Sequence, residues 1–252
     1  MHVHPPKPLH GWKEFANEIF VIVIGVLIAL GFEQVVEDLH WRHKVREGEE
    51  LLESEAQRNL AMSLQAYVVS PCVDAQIELV RQNLAGPLES RRPLPRYSDK
   101  TERYVIRFPA HPVFTSNWQS LIADGTLNHM PRARVSLWGP FYQAAEKNGA
   151  VVGEATGLSD PLTVLASPVA LTPDERVRLL EKVEQFSVAA NRSRGVAMRV
   201  VDWYRKLGLA VPAKRIDAFI ARSATATFCR AHGLPQADWR NALTETLPPL
   251  TI

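Results

Sequence analysis

The chain has 252 residues, 46% hydrophobic and 22% charged, with a formal net charge of +2 at pH 7. That apolar share suffices to bury a core, while so small a cationic excess speaks against a nucleic-acid binder, and no nucleic acid is expected as a partner. Two cysteines without a C-x-x-C pair exclude zinc-ribbon and thioredoxin-type motifs; zincin, P-loop, nucleophile-elbow and dinucleotide-fold motifs are also absent, and no cofactor or metal is expected.

Residues 1–14 form a short tail containing His2, His4 and His10, read as a tail and not as a metal site. Residues 15–36 read as a transmembrane helix. Ile19 to Phe32 is apolar on every face, whereas a surface helix of a soluble domain would keep a polar stripe. From Phe15 to Val36 the rise is about 33 Å, enough to cross the hydrocarbon core. Glu18 and Glu33 then fall near the two interfaces. Trp12 with Lys13, and Trp41 with Arg42, stand about 43 Å apart along the axis and suit aromatic and cationic interface anchors. A cleaved secretion signal is the competing reading, since Ala29-Leu30-Gly31 is a small-x-small tripeptide. Glu14 and Glu18 are out of place in the positively charged start of such a signal. Gly25 and Ala29 lie one turn apart and could let two spans approach closely.

Residues 37–69 continue the helical period, with Leu39, Val45, Leu51, Leu52, Ala56, Leu60 and Leu64 between charges. They predict a stalk that holds the remaining domain off the membrane, with Gly48 as a weak point. The stretch from Glu14 to Asn59 resembles the start of a group of uncharacterised bacterial single-pass membrane proteins, a domain of unknown function. Their anchor has the form Glu-Ile-x-Val-Val-x-x-Gly-Ile-Leu-Ile-Ala-Leu and is followed by a charged helix with a Trp and a Glu-x-x-x-Asn ending. Glu18, Gly25, Leu27, Ile28, Ala29, Leu30, Trp41, Glu55 and Asn59 carry the match. The resemblance covers about the first sixty residues, implies a membrane anchor, and brings no activity or catalytic residue with it.

Ser70-Pro71 reads as the start of a new helix, opening a helical domain over residues 70–252. That helix should stop at Gly86-Pro87. Residues 87–113 form a Pro/Arg-rich connection with a short strand expected at Tyr104–Phe108. A helix over Thr115–Asp124 is closed by Gly125. The next, from Pro131 to Asn148, has Pro140 inside it as a kink or break, and Gly149, Gly153, Gly157 and Ser159 mark a linker over 149–159. "TPDE" is the clearest helix start, with Thr172 as N-cap, Pro173 in the first position and Glu175 closing a capping box. This helix should run to Leu207 with Gly208 as its C-terminal glycine. Helices over Ala213–His232 and Gln236–Leu247 close the chain. The fold class is all-α, with a transmembrane helix, a stalk and a helical bundle domain.

Candidate chemistry is sparse. His40 and His43 share a helix face, but two ligands do not make a metal site. Arg91, Arg92, Arg96, Lys100, Arg103 and Arg107, interleaved with Tyr97 and Tyr104, read as a solvated basic loop that could meet anionic headgroups. Ser116, Asn117, Trp118, Asp124, Asn128 and His129 suit either a small-ligand pocket or a capped helix with a packed tryptophan. Cys72 and Cys229 are a candidate disulfide if the domain is exported; two buried free thiols are the cytosolic alternative.

The reading is of a membrane-anchored helical interaction or ligand-binding protein. A membrane-tethered enzyme with an unfamiliar helical active site, or a sensor subunit acting through a membrane partner, are the alternatives. Its expected partners are the bilayer and either a second copy or another membrane protein. The expected location is the bacterial inner membrane, single-pass, with the domain on the periplasmic side. Lys7 and Lys13 before the span against Arg42, Lys44 and Arg46 after it leave the positive-inside rule undecided.

Overall fold

The computed structural model describes residues 11–87, 92–95, 97–98 and 103–245. It is all-α apart from a minimal hairpin, in which β1 (Tyr97–Ser98) pairs antiparallel with β2 (Arg103–Tyr104) and Tyr97 faces Tyr104. The expected strand at Tyr104–Phe108 is thus shorter and lies earlier.

Helix α1 (Gly11–Ala85) is continuous over 75 residues, about 112 Å of rise. Its first part is apolar enough to cross a membrane, and none of that apolar window is buried against the rest of the chain. Trp12 is 80% exposed, and a side chain at Gly25 would meet nothing within 4 Å.

The helix does not end at Val69 as the Ser70-Pro71 signal suggests; Pro71 sits inside it. Proline cannot donate to the carbonyl four residues back. Here that carbonyl, on Tyr67, accepts from the Ser70 hydroxyl at 2.9 Å, and the next, on Val68, accepts from the Ala237 amide at 2.9 Å. Beyond the proline the buried face continues through Cys72, Val73, Ile77, Val80 and Leu84. Apolar burial, one replacement hydrogen bond from Ser70 and a further one from Ala237 to the adjacent carbonyl therefore override a local start signal.

Nor is 37–69 a bare stalk. Trp41 stacks on His129 at 3.7 Å between ring centres, Lys44 pairs with Asp124 at 3.1 Å, and Glu49 with Arg134 at 2.8 Å. Contacts with the domain thus begin five residues past Val36, about 8 Å along the helix. Gly48 is no weak point but a close contact. Its missing side chain leaves the space that Leu121 occupies, and a Cβ there would lie 2.9 Å from Leu121 Cδ2.

The other helices are arranged around α1. Helix α2 (Ser116–Ala123) and a 3₁₀ turn (Thr126–His129) lie against the part of α1 that follows its apolar window. Helix α3 (Arg132–Ser159) packs mainly on the next long helix, reaches α1 through Arg134 to Glu49 and Tyr142 to the Leu52 carbonyl, and ends in a second 3₁₀ turn (Asp160–Ala166). Pro140 lies inside α3 without ending it. Helix α4 (Pro173–Lys206) returns, pairing Glu184 with Arg81 at 2.7 Å and packing on both α1 and α3. Its capping box is present, with Glu175 accepting from the Thr172 amide at 2.7 Å. These hydrogen bonds hold the Glu175 carboxyl below its ordinary range. Trp138, Phe141, Tyr142, Phe186 and Tyr204 fill the core between the three long helices.

The expected Ala213–His232 helix is two: α5 (Ala213–Arg222) and α6 (Ala224–Ala231), divided at Ser223. Ser223 adopts an extended backbone, and its hydroxyl accepts from the Ala226 amide at 3.2 Å. The last helix, α7 (Trp239–Ala242), is shorter than expected, and residues 246 and 247 of the predicted span lie outside the described residues.

The 149–159 linker is also corrected, since those residues are the last turns of α3. Gly149 serves packing, not flexibility. A Cβ on it would fall 2.7 Å from Val113 Cγ2, whereas Gly157 has nothing within 4 Å. The two should respond oppositely to alanine. Gly157→Ala is expected to raise stability by about 0.5–1 kcal/mol through helix propensity. Gly149→Ala is expected to lower it, because overpacking costs about 1–3 kcal/mol against the same gain. Denaturant unfolding of the two variants in detergent micelles checks this pair.

Candidate ligand cleft

The segment from Arg107 to Asn117 lies along α1 in the reverse direction, held by buried polar side chains. Gln76 accepts from the Arg107 amide at 2.6 Å and donates to its carbonyl at 3.3 Å. Gln65 meets His111 Nε2 at 2.6 Å. Asn59 donates to the Phe114 carbonyl at 2.7 Å and accepts from its amide at 3.1 Å. Glu55, only 2% exposed, accepts from the Ser116 hydroxyl at 3.1 Å and the Asn117 amide at 3.0 Å, serving as the cap α2 lacks locally. The spacing has a geometric cause. Twenty-one helical steps from Gln76 to Glu55 rise about 32 Å. Ten extended steps from Arg107 to Asn117 span about 33 Å. Buried polar groups require partners, and here the partners are backbone groups of the strap at Arg107, Phe114 and Asn117.

The strap forms one wall of a cleft of about 390 Å³, closed opposite by α1 and the start of α5. Its lining is mainly apolar: Ala61, Met62, Pro112, Phe114, Ile216 and Phe219. Arg58 and Arg215 join them. Arg215 donates to the Gln57 side-chain oxygen at 3.0 Å, and the Arg58 guanidinium lies 5.5 Å from the centre of the Phe114 ring. Gln57 in turn donates to Glu53 at 3.2 Å. Among the described residues neither arginine is in an ion pair, while Arg42, Arg81, Arg134, Arg192 and Arg240 each face a carboxylate.

His111 also borders a second cavity of about 200 Å³, with Gln65, Arg107, Thr156, Ser159 and Thr225 on its wall. Gln65 donates to the Ser223 hydroxyl and accepts from His111, which puts the imidazole proton on Nε2. The three polar side chains therefore converge with an amide between hydroxyl and imidazole. An amide neither takes up nor releases a proton near neutrality, so this chain positions α6 against the strap and does not activate Ser223 as a nucleophile.

Burial pushes the His111 pKa below its ordinary value. The imidazolium is disfavoured in the folded protein, so the unfolded chain binds more protons below pH ~6.5. Stability should be level above that pH and fall as pH drops through ~6.5 toward the lower folded value. Arg58, Arg107 and Arg215 line the same two cavities as His111. His111→Gln, which can still donate to Gln65, should flatten that part of the profile. An unaltered pH dependence of thermal melting in the variant would refute this assignment.

The residues singled out from sequence fall elsewhere. Cys72 on α1 and Cys229 on α6 are joined as a disulfide with 6.0 Å between Cα atoms. Trp118 stacks on Tyr142 at 5.0 Å, Asp124 accepts from the Thr126 amide and hydroxyl, and His129 covers Trp41. The 116–129 stretch is thus a packed helix and turn. Thr126 first, and Lys44 after it, hold the Asp124 carboxyl below its usual range. Trp41 is engaged by the domain, Arg42 pairs with Asp38 at 2.7 Å, and Lys13 is exposed. Gly25 and Ala29 lie on the uncovered part of α1. His40 and His43 are exposed, the latter 3.0 Å from Arg46 Nη2, and no three ligating side chains gather as a metal site among the described residues. Arg91, Arg96, Lys100, His2, His4 and His10 lie outside the described residues.

The cleft escaped the sequence reading because its two arginines are 157 positions apart. The legible sign was polar side chains on a core face: Glu55, Asn59, Gln65 and Gln76 among leucines and valines. Comparisons with protein-family models, curated proteins and solved structures find no match to this chain.

Proposed function

We propose that the chain is a single-pass bacterial inner-membrane protein that carries a helical ligand-binding domain on the periplasmic side, as a member of the uncharacterised anchor group it resembles. The cleft carries the ligand-binding part of this reading. It is of ligand size, mainly apolar, and flanked by two guanidinium groups that, among the described residues, have no ion-pair partner. The apolar start of α1 supports the anchor, because a helix uncovered on every face needs an apolar solvent. The Cys72–Cys229 disulfide supports the periplasm, an oxidising compartment. Gly25 and Ala29 on the uncovered helix supply a seam for a second span, of this protein or another.

Two measurements test the reading. The full-length protein should stay with membranes through high-salt and carbonate washing, and a reporter fused after Ile252 should be active only in the periplasm. A mature chain recovered in solution and starting near Phe32 would instead identify a cleaved signal. For the cleft, small organic anions, cations and neutral compounds should be titrated while melting temperature is followed. Compounds that stabilise the protein should lose their effect in Met62→Trp, which fills the cleft. Stabilisation that survives this substitution, or none from any compound, would remove the cleft as a binding site.

A further inference from the structure

We infer that the cleft takes a free monoanionic amphiphile, with a small apolar body and one carboxylate or similar anionic head. This rests on the ligand-binding reading above and names the class of molecule.

Four observations lead there. The cavity of about 390 Å³ falls in the range of small-molecule sites, which sets the size class. Ala61, Met62, Phe114, Ile216 and Phe219 offer the body only hydrocarbon and ring surface, and no lining residue is acidic. Arg58 and Arg215 set the sign of the head. Arg215 is held by the neutral Gln57 side chain, whose own amide is fixed by Glu53, and Arg58 lies by the Phe114 ring. Each guanidinium has more donors than these contacts use, and planar N–H pairs match a carboxylate.

The fourth is distance. The α1 residues of the cleft, Ser54 to Met62, lie 18 to 26 residues past Val36, about 27–39 Å along the helix. The headgroup layer adds only about 5–8 Å beyond the hydrocarbon edge. A lipid resident in the bilayer therefore does not reach the cleft, and the ligand arrives from the aqueous side.

The test uses the full-length protein in phosphatidylcholine nanodiscs, with empty discs as the blank, and calorimetric titration. The probes are decanoate and 2-naphthoate as aliphatic and aromatic anions, decanol as the neutral analogue, decyltrimethylammonium as the cation, and acetate as a head without a body. At least one of the two larger anions should bind, at least tenfold more tightly than decanol, the cation or acetate. Arg58→Gln and Arg215→Gln, both at exposed positions, should each weaken it about tenfold, and Met62→Trp should abolish it. Decanol or the cation binding as well as the anions, in a manner abolished by Met62→Trp, would overturn the anionic assignment and leave the ligand-binding reading standing. Anion binding unchanged in both arginine variants would do the same. Binding of none of the probes would overturn the assignment of class. The ligand-binding reading would fall with it only if the wider thermal titration also found no compound sensitive to Met62→Trp.

Discussion

Full-length protein isolated without reductant is expected to contain no free thiol, and Cys72→Ala with Cys229→Ala is expected to lower its unfolding free energy by about 2–5 kcal/mol. The disulfide closes a separation of 157 residues, and long closures restrict an unfolded chain most in the loop-entropy account. Its Cα separation of 6.0 Å lies within the ordinary range for such bridges. Both sulfurs are fully buried, so the paired substitution leaves a small apolar site instead of an unmatched thiol. The loss should not be even along the chain. Helix α6 has only eight residues, and apart from the disulfide it is tied by Gln65 to Ser223 and by Gln236 to the Ala226 carbonyl at 2.6 Å. Amide hydrogen exchange should therefore quicken first in α5 to α7 and last in the central turns of α1. Two titratable thiols in the native protein would contradict the bridge and weaken the periplasmic placement that rests on it.

Asn59→Ala is expected to cost about 2–4 kcal/mol, a large effect for a polar residue. Asn59 is buried and satisfies both backbone groups of Phe114, accepting from the amide and donating to the carbonyl. Alanine removes both partners at once and leaves two part-buried backbone groups unpaired. The strap should loosen at that point, and the cleft wall with it, since Phe114 lines the cleft. Glu55→Gln is the contrasting substitution. It keeps an oxygen for the Ser116 hydroxyl and the Asn117 amide, so it should cost much less. Denaturant unfolding and the exchange rate of the Phe114 amide measure both. An Asn59→Ala protein with wild-type exchange at Phe114 would show that the strap is held by its apolar contacts instead.

Sequence alone was enough to identify what depends on neighbours along the chain. The all-α class follows from helical periodicity, and the Thr172 capping box from groups three residues apart. The Gly125 and Gly208 terminations have positive φ values of 80° and 71°, which glycine tolerates without strain. The apolar window at the start of α1 needs no partner to be read, because its whole circumference is hydrophobic. The tertiary structure decided the rest, wherever a distant group replaced a local one. Ser70-Pro71 carries the letters of a helix start, yet the Ser70 hydroxyl takes the Tyr67 carbonyl that the proline frees, and Ala237, more than 160 residues on, bonds the neighbouring Val68 carbonyl. Gly149 carries the letters of a linker, yet Val113 fills the space it leaves. Glu55 and Asn59 stand out in the sequence as a motif, but their task appears only when the strap from Arg107 to Asn117 lies beside them. Arg58 and Arg215 become a pair only because α5 folds back onto α1. A buried hydrogen bond, a van der Waals contact and a charge left unpaired are relations between positions in space. The order of residues specifies them only through the packing of the whole chain.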